Sequence, residues 1–198
     1  MPDIKTGEKH IADIRTEHGL VIEFQHSHLN PQEHNARENF YKDMVWVVDG
    51  TRLRHDYPRF IKGQKQIQPA SKPGIYYVYD PEKCFPSAWL KSSVPVIFDF
   101  RGALLIDDPL DLREPLHCLF PVLVGRRATL ARIPRSAFIK AATSGDWLMR
   151  VSGIMEELLN DKKEWENQEI SSELLWELHK SQMQGLHVGS DYSKGRIF

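Results

Sequence analysis

The run from His10 to Gln25 constrains this chain most. His10 to Thr16 and Leu20 to Gln25 are strand-like, and Glu17-His18-Gly19 separates them. A three-residue loop ending in glycine suits a type I turn closed by a left-handed residue, so the run predicts a tight β-hairpin. With residues 17–19 as the loop, Thr16 opposes Leu20, Ile14 opposes Ile22 and Asp13 opposes Glu23. Side chains alternate along a strand. Ala12, Ile14, Leu20, Ile22 and Phe24 therefore share one face, and Asp13, Glu23 and Gln25 share the other. A slip of one residue would scatter the apolar set over both faces, so burial favours this register.

The sequence after the hairpin extends it into a β-β-α-β unit over residues 10–49. Asn30-Pro31-Gln32-Glu33 reads as a helix start, with Asn as cap, Pro at the first helical position and Glu at the third. Ala36, Phe40 and Met44 supply an apolar stripe, and Met44 to Val48 is a short strand stopped by Asp49-Gly50. Residues 51–74 are polar and basic with Gly63, Pro69 and Pro73, and read as an extended loop. Ile75 to Tyr79, Val94 to Phe100, Ala103 to Ile106 and Leu119 to Val124 read as further strands. From Asp146, the spacing of Trp147, Val151, Ile154, Met155 and Leu158 predicts an amphipathic helix. A second helix is expected over Ser171 to Gln182, and a loose tail from Gly189. The expected fold is α/β (α+β), a mixed sheet flanked by helices. An α/β domain over 1–143 is followed by a helical segment over 144–198. The strand Met44 to Val48 is apolar on both faces and must be covered on two sides. The C-terminal helices, or a second copy of the chain in a homodimer, would supply the missing layer.

Composition narrows the class. The formal net charge of -1 excludes a uniformly basic nucleic-acid binder and leaves local patches open. Cys84 and Cys118 form neither a disulfide framework nor a zinc knuckle, which fits a reducing compartment. The start, Met-Pro-Asp-Ile-Lys, lacks the apolar region of a signal peptide, and the most apolar run, Val94 to Phe100, is far below spanning length. A soluble cytoplasmic protein without membrane association is expected.

Two opposed carboxylates about 5 Å apart repel by roughly 3 kcal/mol at an effective dielectric of 20. The pair Asp13 and Glu23 therefore calls for a shared proton or an intervening cation. A hard divalent ion takes oxygen ligands, and the carbonyl of Phe24 could add one. Gln25 could orient a water. The sequence thus permits metal-assisted phosphodiester hydrolysis, although solvent-facing strands often carry such residues as ordinary polar surface.

An ordered series of motifs sharpens this reading. His10-Ile-Ala-Asp13 comes first, followed by Val21-Ile-Glu23-Phe-Gln25-His-Ser27. Glu33, Arg37 and Tyr41 come next, then Val45-Trp46-Val47-Val48-Asp49-Gly50. The series closely resembles the nuclease core of competence protein CoiA-like proteins, and Trp89 with Pro95-Val-Ile-Phe98-Asp-Phe100 resembles that family's downstream segment. The resemblance implies a PD-(D/E)XK-like core and Mg²⁺ (or Mn²⁺) held by Asp13, Glu23 and the Phe24 carbonyl. Gln25 takes the position more often held by Lys. Arg37 and Tyr41 match a supporting pair on the following helix. The family core normally begins with a helix and a strand before the Asp-bearing strand, and only nine residues precede His10, so a core with a shortened N-terminus is expected. The implied activity is metal-dependent cleavage of DNA, endonucleolytic or exonucleolytic, in competence, recombination or a mobile element. The alternative is a catalytically inactive DNA-binding or protein-interaction module derived from such a nuclease.

Two basic clusters could track a DNA backbone. Arg52, Arg54, Arg59, Lys62 and Lys65 form one, and Arg126, Arg127, Arg132, Arg135 and Lys140 the other. His26-x-His28 with Glu33 invites a cupin-like metal reading, but a second such motif is missing and strand parity points His26 away from Glu23. Asp99, Asp107, Asp108 and Asp111 read as turn residues.

Overall fold

The computed structural model describes residues 11–52 and 54–188, the last eight as backbone alone. The hairpin forms in the expected register. Strand β1 (Ile14–Arg15) pairs antiparallel with β2 (Val21–Gln25), with Ile14 opposite Ile22. Gly19 closes the turn at φ +88°, a left-handed conformation that glycine adopts without steric cost. His10, the expected start of the first strand, and the expected tail lie outside the described residues. Helix α1 (Pro31–Phe40) is capped as its sequence dictates, Asn30 accepting from the Gln32 amide at 2.9 Å. Strand β3 (Met44–Asp49) then returns parallel to β2, with Glu23 beside Trp46.

Residues 51–74 hold more structure than the expected loop. They contain helix α2 (Asp56–Lys62), a 3₁₀ turn and strand β4 (Ile67–Pro69). Phe60 on α2 is fully buried against Phe85, Phe100 and His117, and with Tyr57, which packs on Phe100, it anchors a helix rich in polar residues. Strands β5 (Ile75–Tyr79), β6 (Val96–Asp99), β7 (Leu116–Val124) and β8 (Arg127–Ile133) follow. Ala103 to Ile106, expected as a strand, is loop; Arg101 braces it by binding the Leu104 carbonyl and Glu114. Helix α3 (Arg135–Ser144) ends at Gly145, φ +82°, and α4 (Asp146–Val188) is one continuous helix where two were expected. The acidic run Glu164 to Glu169 contains good helix formers and neither Gly nor Pro, so nothing in it interrupts the helix.

The described strands make one mixed sheet in the order β1-β2-β3-β6-β7-β8-β5-β4, parallel through β2, β3 and β6 and antiparallel elsewhere. One face carries Val21, Trp46, Val48 and Phe98, covered by α1, α2 and the segment holding Phe85 and Trp89. The other carries Leu20, Ile22, Val45, Val47 and Ile97, covered by α3 and by Trp147 and Leu158 of α4. The helical segment from 144 therefore completes the core of the α/β domain. Ala12, expected on the second face, packs against the first, and Ile14 and Phe24 stay 45% and 40% exposed where α3 and α4 do not reach. No helix among the described residues is long and apolar enough to cross a membrane.

Candidate functional site

The ladder between β1 and β2 stops at Ile14 because Asp13 takes over its next hydrogen bond. A continued antiparallel ladder would give the Phe24 N–H to the carbonyl of Ala12. Instead Asp13 Oδ2 accepts it at 2.8 Å. The carboxylate is thereby fixed at the exposed rim of the hairpin, while Glu23, opposite it in register, is only 1% exposed.

Helix α1 covers Glu23 with a cation. Arg37 Nη1 donates to Glu23 Oε2 at 2.5 Å, while its Nε and Nη2 donate to Glu33 Oε1 at 3.2 and 2.9 Å. Glu33 and Arg37 are one helical turn apart, and the parallel crossover from β2 through α1 to β3 lays that turn over Glu23. Burial works against the Arg37 charge, but Glu33 and Glu23 outweigh it and raise its pKa above the ordinary value. Tyr41, one turn further on, is buried, and burial together with the Glu23 charge raises its pKa, so the phenol keeps its proton. The structure thus brings Asp13, Glu23, Arg37 and Tyr41 together.

Gln25 lies on the Glu23 side of the sheet, in register with Val48. Its amide Nε2 is committed to the Ser27 carbonyl at 2.6 Å, leaving Oε1 as its acceptor. The donor set fits a hard divalent cation in kind: the Asp13 and Glu23 carboxylates and the Phe24 carbonyl are all oxygen, while Arg37 is shared between Glu23 and Glu33. Arg37 would keep Glu33 if Glu23 turned to a cation. Among the described residues no three His, Cys, Asp or Glu side chains stand grouped to hold a metal, so any such site rests on these two carboxylates.

The histidines fall elsewhere. His26 turns to the opposite face of the sheet, with Nδ1 3.1 Å from Asp49 Oδ2, and it joins neither Glu33 nor Glu23. Asp49 also binds the Thr51 amide and hydroxyl. Burial opposes its charge, but Thr51 and His26 outweigh that and hold its carboxyl below the ordinary range. Asp99 likewise binds the Arg101 and Gly102 amides and pairs with Arg135, so it is structural as expected.

The basic residues fall at both ends of the sheet, and the second cluster is split between them: Arg132, bound to Gln64, and Arg135, paired with Asp99, lie toward the carboxyl end of β6. Arg52 and Arg54 follow the carboxyl end of β3, whereas β7 runs past the amino end of β6 before the turn that carries Arg126 and Arg127. Among the described residues Arg54, Lys62 and Lys65 have no ion-pair partner, and Arg52 only a 3.6 Å contact with Asp49. In the other cluster, Arg126 pairs with Asp80 at 2.9 Å, and Arg127 pairs with Asp161 and lies over Tyr77. Arg132 lies over Tyr76, and Arg135 pairs with Asp99.

Sequence reasoning missed a buried polar group next to this site. The inward face of α1 is not the expected Ala36 and Phe40 stripe; its buried residues are His34 and Glu38. Glu38 accepts from Trp46 Nε1 (3.0 Å), Ser92 Oγ (2.6 Å), and the Ser93 amide and hydroxyl (2.8 and 2.7 Å). His34 Nε2 lies 2.7 Å from Glu38 Oε1. Burial raises the Glu38 pKa, but these donors outweigh it and bring it down to about 2. No local pattern in the sequence signals this, because the serines lie more than fifty positions away.

Comparison of the chain with protein-family models, with curated proteins and with solved structures finds no match.

Proposed function

We propose that this chain is a metal-dependent DNA nuclease of the competence protein CoiA-like kind, built on a PD-(D/E)XK-like unit formed by β1, β2, α1 and β3. The observation that carries the reading is the cross-strand placement of Asp13 and Glu23 on a hairpin whose following helix sets Arg37 on Glu23. Asp13, Glu23 and the Phe24 carbonyl are the groups that would hold Mg²⁺ or Mn²⁺. Such an ion supplies polarisation of the scissile phosphate and compensation of its developing charge.

The chain's own residues do the rest. The Asp13 carboxylate is oriented by the Phe24 amide and stays open to the rim. Arg37 neutralises part of the carboxylate charge while Glu33 holds it in place. Gln25, pinned by Ser27, presents an acceptor that suits orienting a water. It brings no positive charge, so phosphate compensation falls to other groups. The DNA backbone runs along the cations Arg52, Arg54, Arg59 and Lys62. The biological setting consistent with this activity is DNA processing in competence, recombination or a mobile element.

One observation favours the alternative of an inactive DNA-binding or protein-interaction module: Glu23 is buried and already ion-paired. Plasmid incubated with the purified chain in Mg²⁺, in Mn²⁺ and in EDTA separates the two. Metal-dependent nicking that disappears in Asp13→Asn supports the nuclease. Retained DNA binding without nicking under all three conditions supports the module.

A further inference from the structure

A cleft of about 390 Å³ opens between α4 and the β5–β8 pair, at the opposite end of the sheet from the hairpin. Two aromatic rings line it, Tyr79 from β5 and Trp165 from α4, and both are exposed, at 41% and 39%. Tyr79 sits in register with Arg127. Trp165 lies so close on Gly125 that a Cβ there would meet its ring at 2.9 Å, and Gly125 also has φ +59°, so that turn admits glycine alone without strain. Asp161, Glu164 and Gln168 add hydrogen-bonding groups along the helix side, and Arg126, exposed beyond its bond to Asp80, stands at the mouth.

We propose that this cleft takes an unpaired nucleobase, stacked on Tyr79 and Trp165. Aromatic faces stack any base, and the carboxylates and amide of α4 can accept from and donate to a base edge. The volume suits a base with its sugar and lies in the range of small-molecule sites. A cationic ligand gains no net attraction, because Arg126 and Arg127 offset Asp161 and Glu164 in the lining, and the Arg127 guanidinium already lies 3.8 Å over the neighbouring Tyr77 ring. An apolar ligand is disfavoured by the four charged side chains in the lining. The base could belong to a single strand or to a free nucleotide; the chemistry of recognition is the same.

The test reads binding in EDTA, without cleavage, so its outcome and that of the nuclease reading are separable. Trp46, Trp89 and Trp147 are buried, which leaves Trp165 and Trp176 as the exposed fluorophores. In a Trp176→Phe background, AMP, GMP, CMP and oligothymidylate are titrated into the full chain, with inorganic phosphate and tetramethylammonium as controls. The expected result is saturable quenching by the nucleotides, weakened about tenfold by Tyr79→Leu, a change that leaves the Trp165 packing on Gly125 in place. Tighter binding of the oligonucleotide than of the mononucleotides assigns the cleft to a strand, and equal binding to a free nucleotide. Absence of saturable quenching at millimolar nucleotide, unchanged binding in Tyr79→Leu, or stronger binding of tetramethylammonium overturns the proposal.

Discussion

Glu23 and Arg37 meet at 2.5 Å across the junction of β2 and α1, the carboxylate side chain 2% exposed and the guanidinium 24%. The pair joins a strand residue to a helix residue fourteen positions later, and it makes the hairpin and the first helix one unit. Removing one member of such a pair leaves a buried charge without compensation. Arg37→Ala should therefore cost about 2–4 kcal/mol of stability. Arg37→Lys should recover part of the loss, because the charge returns without the two-sided fork. Urea unfolding of the three proteins checks this; equal midpoints would show that the pair contributes nothing.

Asp13→Asn should abolish metal-dependent nicking with little change in stability, within about 1 kcal/mol, because an amide oxygen can still accept from Phe24. Glu23→Gln should also abolish nicking. Its stability loss should be larger, about 1–3 kcal/mol, since Arg37 loses a charged partner in a buried position. Cleavage assays beside urea titrations separate the two effects. Wild-type cleavage rates in either variant would remove that residue from the reaction.

Glu38 makes stability depend on acid. Its folded pKa of about 2 lies below its ordinary value of 4.5. A depressed carboxyl pKa gives stability that is fully present above the unfolded value and lost as pH falls through the folded one. Stability should fall by about 2–3 kcal/mol between pH 4.5 and pH 2 on account of this group. Asp49 and Asp99 shift in the same direction. The informative quantity is therefore the difference between wild type and Glu38→Gln, which should shrink across that window. A constant difference would remove Glu38 from the acid response.

Replacing Arg52, Arg54 and Arg59 together by Ala should weaken DNA binding and flatten its salt dependence, by about 0.9 in the log–log slope for each phosphate left without its cation. Arg126→Ala should change the slope little, because that side chain is already bound to Asp80. Binding isotherms at several salt concentrations read both. An unchanged slope in the triple variant would place the DNA path elsewhere.

Deleting residues 146–198 should make the chain aggregate. The deletion removes Trp147 and Leu158 from the face that carries Val45, Val47, Ile97 and Phe120, and contiguous apolar surface of that extent is not tolerated by soluble monomers. A truncated chain that sediments as a cooperatively folded monomer would show that α3 covers the face alone.

The parts of this protein that the sequence determined are those governed by neighbours along the chain. Alternation of Ile14, Leu20 and Ile22 against Asp13 and Glu23, with Gly19 at the turn, sets the hairpin register. Asn30 and Pro31 set the start of α1, and the spacing from Trp147 to Leu158 sets the packed first turns of α4. Tertiary structure decided the rest. Helix α2 is held because Phe60 fills a space bounded by Phe85 and His117, and Tyr57 packs on Phe100, all of which arrive from distant segments. Glu38 faces inward against every local expectation for a carboxylate. Trp46, Ser92 and Ser93 supply its donors only once β3 and the segment before β6 are in place. Whether Arg126 and Arg127 are free cations or internal partners likewise depends on Asp80 and Asp161, dozens of positions away. Periodicity and capping are short-range and legible in one dimension. The desolvation of a polar group, and the partner that compensates it, are properties of the assembled volume.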